Sequence, residues 1–160
     1  KTLKKVKVVR SHKRVGVVGA RVLGARNAKG PIIINIDSHV ELVNGWLEPL
    51  LDRLKDNPTV VVNPKIHGTD KHSFGVGGFD DSSGYLGGLD FSLNFVSEDR
   101  LPPRDESISK YEAWKSPTPF GPTIGLWKDF FEHIGYLDVE CDAWGGDDVE
   151  LGLKAWVSHS

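Results

Sequence analysis

Ile32-Ile33-Ile34-Asn35-Ile36-Asp37-Ser38-His39 is the stretch on which the reading of this chain turns. Four isoleucines in five residues favour an extended backbone, and so short an apolar run fits a strand covered on both faces. Gly30-Pro31 ahead of it ends whatever precedes, and Asp37 closes it with a charge. Upstream, residues 16–29 hold good helix formers and predict a helix that stops at the Gly-Pro pair. Downstream, Trp46, Leu47, Leu50, Leu51 and Leu54 recur at helical spacing over residues 46–57. Pro58 ends that helix before a short strand candidate, Thr59 to Asn63. With Val6 to Val9 as an earlier strand, the order is β-α-β-α-β. Such alternation predicts an α/β fold with a mostly parallel, Rossmann-like central sheet flanked by helices.

The second half is less regular. Residues 68–88 are rich in Gly, Ser and Asp and predict an exposed loop or irregular hairpin. Phe91-Ser92-Leu93-Asn94-Phe95 alternates like a strand with one buried face, and residues 97–115 form a polar, proline-containing connection. Lys128 to His133 and Asp147 to Trp156 are the remaining helix candidates.

A chain of 160 residues, 39% of them apolar, supports one ordinary core, hence a single domain or part of one. Twenty basic against twenty-two acidic side chains give a net charge of −2, which argues against nucleic acid or an anionic membrane as partner. No apolar run reaches the length of a membrane span, so any membrane anchor would belong to a longer form. The single cysteine, Cys141, removes dithiol and zinc-knuckle readings.

Two local patterns carry chemistry. Asp37-Ser38-His39 directly follows the central strand candidate, and ligands of open α/β sheets bind at the carboxyl ends of strands. A carboxylate and an imidazole two residues apart can share one divalent ion, and mixed oxygen and nitrogen ligation suits manganese. The competing reading makes Asp37 a turn residue and His39 a surface residue. In Trp144-Gly145-Gly146-Asp147-Asp148, two glycines allow the backbone to approach a ligand, and two carboxylates open a helix. Ordinary helix capping is the alternative there.

Taken together, these segments are similar to a known family, the polypeptide N-acetylgalactosaminyltransferases. Asp37-Ser38-His39-Val40-Glu41 with Gly45-Trp46-Leu47-Glu48-Pro49-Leu50-Leu51 resembles that family's metal-motif segment. Gly87-Gly88-Leu89-Asp90-Phe91-Ser92-Leu93 and Phe131 to Leu151, with Trp144-Gly145-Gly146-Asp147-Asp148 inside it, resemble two further signatures in the same order. The likeness runs over nearly the whole chain.

The resemblance implies a GT-A fold, a UDP-N-acetylgalactosamine (UDP-GalNAc) donor, a manganese ion, and transfer to Ser or Thr of a polypeptide or glycopeptide with retention at the anomeric carbon. It also implies a Golgi lumen setting. By position, Asp37 and His39 would be metal ligands, Ser38 would lie beside the nucleotide and Arg14 would meet the UDP. Asp147 would hold the sugar, with Asp148, Gly121, Gly145 and Gly146 around it and Trp144 near the loop that closes over it. The whole of residues 1–160 would be part of a catalytic domain, incomplete at both ends and without a lectin domain. The uridine-binding Asp is expected before Lys1 and a third metal ligand beyond Ser160.

The chain departs from the family at Phe120-Gly121-Pro122, where relatives carry Ala-Gly-Gly. The added ring and the missing backbone donor predict a reshaped or blocked donor pocket. Asp147 and Asp148 replace Glu and Asn. These departures support an alternative, a catalytically inert homologue that binds nucleotide, glycan or glycoprotein. Trp46, Trp114, Trp127 and Trp156 read as packing residues, and His12, His67, His72 and His133 as solvated ones.

Overall fold

The structure, a computed structural model, describes residues 3–75, 83–92, 94–100, 112–141 and 145–158. Helix α1 (Gly16–Asn27) buries Val18, Val22 and Ala25, a stripe at spacings of four and three that turns one face inward. Its end is set by Ala28, which leaves the helical region and whose N–H still reaches the carbonyls of Gly24 and Ala25. Strand β1 (Ile32–Ile36) follows the Gly-Pro break. Helix α2 (Glu48–Asp56) starts two residues later than the apolar spacing suggests, with Pro49 in its first turn.

Strands β2 (Ser83–Leu89) and β3 (Phe95–Arg100) form a hairpin, β4 (Thr123–Trp127) returns to the central layer, and α3 (Lys128–His133) and α4 (Asp147–Val157) complete the order. In the central layer β1 and β4 run antiparallel, with Ile34 opposite Gly125 and Ile36 opposite Thr123. On its other edge β4 meets Val62, through Val62 N–H to Gly125 C=O at 2.9 Å and Gly125 N–H to Val62 C=O at 2.7 Å. A Cβ on Gly125 would stand 3.1 Å from Val62 Cγ2 and 3.5 Å from Leu54 Cδ1, so the absent side chain lets α2 and this edge close on β4.

Alternate residues of the strands face opposite sides, and two apolar clusters result. Ile33, Ile124 and Leu126 pack with Val18, Val22 and Ala25 of α1, Phe131 of α3, Leu137, and Leu151 of α4. On the other side, Leu50 and Leu54 of α2 pack with Val62, flanked by Ile32, Trp46 and Trp127. Helices thus cover both faces of the sheet, as the alternation of elements implies. The Trp127 indole also donates to Leu54 C=O at 2.6 Å, so it both packs and anchors, whereas Trp156, expected to pack, is 52% exposed and is tied by its bond to Pro117 C=O at 2.9 Å.

Several expectations need correction. Both described ladders are antiparallel, and no parallel pair occurs among the described residues. Val6 to Val9 is not a strand; Val6 and Val8 are well exposed, and no described strand lies alongside them. Thr59 to Asn63 contributes only the single bridge at Val62. The Gly-rich region expected to be a loop or irregular hairpin holds β2, one arm of a hairpin whose register shifts between Ser83 and Leu86, and the strand expected at Phe91 to Phe95 begins only at Phe95. Asp90 explains that later start: its carboxylate accepts the N–H groups of Ser92 and Asn94 at 2.8 and 2.9 Å, and Phe91 and Ser92 lie in a turn.

Leu54 is fully buried while Leu153 is 55% exposed. Leu54→Ala is therefore expected to lower unfolding free energy by about 3 kcal/mol, and Leu153→Ala by less than about 0.5 kcal/mol, both read from urea denaturation midpoints.

Candidate functional site

Strand β1 delivers Asp37 to the edge of the sheet. Its N–H donates to Pro122 C=O at 2.8 Å, which carries the pairing one residue past the strand and fixes where the carboxylate emerges. Ser38 and His39 follow in an exposed turn. Asp37, Ser38 and His39 line a cavity of about 460 Å³ together with Asn35 and, from α1, Val17, Ala20 and Arg21. Asp37 and His39 thus border one space. Among the described residues, no group of three or more His, Cys, Asp or Glu side chains is arranged to hold a metal ion by itself. The donor set for a cation is one carboxylate and one imidazole, which fits a divalent ion whose remaining positions are filled by phosphate oxygens or water.

Helix α4 meets the lining of this cavity through Arg21. Gly145 and Gly146 have φ values of +103° and +82°, and nothing lies within 4 Å of where their Cβ atoms would be. Backbone conformation alone demands glycine there. The turn they make puts Asp147 and Asp148 in the first turn of α4, where the helix dipole favours negative charge. Neither caps the helix: its N-cap is Gly146, and no side chain bonds to the free N–H groups. The carboxylates point elsewhere.

They point at Arg21. Its Nη1 donates to Asp147 Oδ2 and lies 3.6 Å from Asp148 Oδ1, while Nη2 lies 3.6 Å from Asp37 Oδ1. The Arg21 side chain is 14% exposed and Asp147 is buried. One guanidinium therefore joins the end of β1 to the start of α4. Arg21 was not among the residues that sequence reasoning assigned to the site, yet a signal existed. It sits three residues after Val18 and four before Ala25, on the inward side of α1, and a charge among buried positions calls for a partner of opposite sign.

Asp148 is the least satisfied member. Its Oδ1 is buried without a hydrogen-bond partner among the described residues. Burial, and then the neighbouring Asp147 charge, push its carboxyl up to about 6, only partly offset by Arg21 and by the Gly121 N–H that donates to it. Gly121, at φ +91°, is tied to glycine twice over, since a Cβ there would also fall 2.6 Å from Ile66 Cδ1. The Phe120-Gly121-Pro122 turn is thus held at both ends of the cluster, through Gly121 to Asp148 and through Pro122 to Asp37. The Phe120 ring stacks on Phe95 of β3, centroids 5.8 Å apart and planes 11° from parallel. Arg14 is exposed in the segment that leads into α1. Trp144 lies outside the described residues.

Comparison with known proteins agrees with this geometry. Residues 1–135 match the family described as glycosyl transferase family 2. The chain is 39% identical over 163 residues to the polypeptide N-acetylgalactosaminyltransferase 6 of Homo sapiens, covering 98% of this chain and 26% of that protein. It is likewise 39% identical over 158 residues to polypeptide N-acetylgalactosaminyltransferase 5 of Caenorhabditis elegans, covering 96% of this chain and 25% of that protein. Among solved structures it resembles the crystal structure of GalNAc-T7 with UDP, GalNAc and Mn2+, with a TM-score of 0.80 and 27% identity over 92% of this chain and 28% of that one. The fold is therefore GT-A, and the chain spans about a quarter of the length of the curated relatives it matches.

The Asp148 carboxyl carries a pH prediction. Between pH 4 and 6 the folded chain holds a proton there that the unfolded chain has released, so stability falls as pH rises through this window. Asp148→Asn removes the titrating group. With allowance for solvent screening, the variant is expected to match the parent near pH 4 and exceed it by about 1–2 kcal/mol at pH 7.5, measured by urea denaturation across the range. A difference that does not change with pH would contradict the assignment.

Proposed function

The chain belongs to glycosyl transferase family 2, and we propose that it is a segment of the catalytic domain of a polypeptide N-acetylgalactosaminyltransferase. The donor is UDP-GalNAc, the acceptor a Ser or Thr hydroxyl of a polypeptide or glycopeptide, and the reaction retains anomeric configuration and depends on manganese in the Golgi lumen. The observation that supports this best is the meeting of Asp37, Asp147 and Asp148 on Arg21, which lines one cavity with Asp37, Ser38 and His39. The segments involved lie 126 residues apart in sequence, and a metal-binding strand end facing a carboxylate-bearing helix start suits a diphosphate-linked sugar held at both ends.

In this reading Asp37 and His39 hold the manganese ion, which when bound neutralises the leaving diphosphate. Ser38 lies beside the nucleotide, and Arg14 at the entrance to α1 provides positive charge for the diphosphate. Asp147 accepts hydrogen bonds from sugar hydroxyls while Arg21 keeps its carboxylate oriented, and Asp148 adds a second acceptor. Gly121, Gly145 and Gly146 leave room for the sugar to approach the main chain, and Trp144 stands by as an apolar face. The residues of this chain contribute fixed charges and hydrogen-bond partners for a bond that breaks by charge separation. The Phe120 ring is engaged with Phe95 of β3.

With two protein ligands for the cation, donor binding by these 160 residues is expected to be weak and transfer slow. Calorimetric titration of UDP in the presence of manganese is expected to show binding that EDTA abolishes and that Asp37→Ala weakens by at least about tenfold. Equal binding by Asp37→Ala, or binding indifferent to EDTA, would overturn the site assignment.

A further inference from the structure

We infer that Arg21 is the resident counter-ion of this site, a positioning residue that occupies the electrostatic place of the divalent cation at Asp37 and thereby lowers the affinity of the cation-free chain for it. The inference rests on the manganese reading given above. Arg21 makes two unequal kinds of contact. Its Nη1 is hydrogen bonded to the buried Asp147, which anchors it. Its Nη2 approaches Asp37 Oδ1 only to 3.6 Å, an attraction between charges and not a formed hydrogen bond. Asp37 is the more exposed partner, at 35%.

Arg21, Asp37 and His39 line the same cavity, so a cation held by Asp37 and His39 shares that space with the guanidinium. In a partly buried site the repulsion between a dication and a neighbouring guanidinium is only weakly screened. Three carboxylates face one guanidinium, so the site stays negative enough to attract a cation while Arg21 offsets part of that attraction. Without Arg21 the folded chain would leave Asp147 buried and unpaired. The same side chain therefore stabilises the empty site and opposes its loading.

The test is titration of Mn2+ alone, with free ion followed by electron paramagnetic resonance, against the parent chain, Arg21→Gln, Arg21→Lys and the double variant Arg21→Gln/Asp147→Asn. The double variant removes both charges of the anchored pair, so the buried Asp147 carboxylate is not left without its partner, and a cooperative urea transition checks that the variant folds. Arg21→Gln is expected to tighten Mn2+ binding by about 10-fold, the double variant by about 3-fold, and Arg21→Lys to stay near the parent. A merely structural role predicts the opposite sign, since loosening the site weakens ligation. Parental or weaker Mn2+ affinity in a cooperatively folded double variant would overturn this inference alone. No Mn2+ binding by any of the chains would overturn it together with the manganese reading.

Discussion

A guanidinium held among three carboxylates is the interaction on which the site depends. Asp37 directly follows a strand in the first quarter of the chain, and Asp147 and Asp148 begin a helix near its end. Nothing covalent keeps these groups near one another, and three negative charges brought together would repel. Arg21 makes the gathering stable, because α1 packs its apolar stripe against β1, β4 and α4 and carries the charge in with it. The hydrophobic cluster and the ion cluster are therefore neighbours on one helix. Apolar burial supplies the driving force, and the charge specifies how the start of α4 faces the end of β1.

Legibility of the fold followed how local each signal is. Helix α1, β1 and α3 were readable because breakers or sharp changes of polarity bound them: Gly30-Pro31 before the isoleucine run, Asp37 after it. Strand pairing is a different matter. Val6 to Val9 has the composition of a strand, yet a strand exists only beside a partner, and composition does not reveal partners. The hairpin was hidden for the reverse reason. Gly87 reads as a loop residue, but it is needed inside β2 because Thr118 presses on the space a side chain would fill. A glycine demanded by close approach and a glycine demanded by a turn look alike in sequence.

The site was legible in its motif residues and illegible in what binds them together. Asp37, His39, Gly121, Gly145, Gly146, Asp147 and Asp148 could be named because their order and neighbours resemble a family, and the structure brings most of them to one place. Arg21 stands alone among apolar residues with no motif around it. Its role follows only from the face of α1 on which it falls. Asp148 is the converse case: nothing in its motif neighbours announces a half-buried carboxyl pushed up to about 6.

The account's central claim is that the end of β1 and the start of α4 form one cation-dependent donor site. Paramagnetic broadening tests it most directly: Mn2+ is titrated at substoichiometric levels into the isotope-labelled chain with UDP present, and backbone amide signals are followed. Selective loss of the signals of residues 37–39, with weaker broadening at Gly121, Asp147 and Asp148 and none in the β2–β3 turn, is the predicted result. Broadening centred elsewhere, or signals from residues 37–39 that persist at saturating Mn2+, would contradict it.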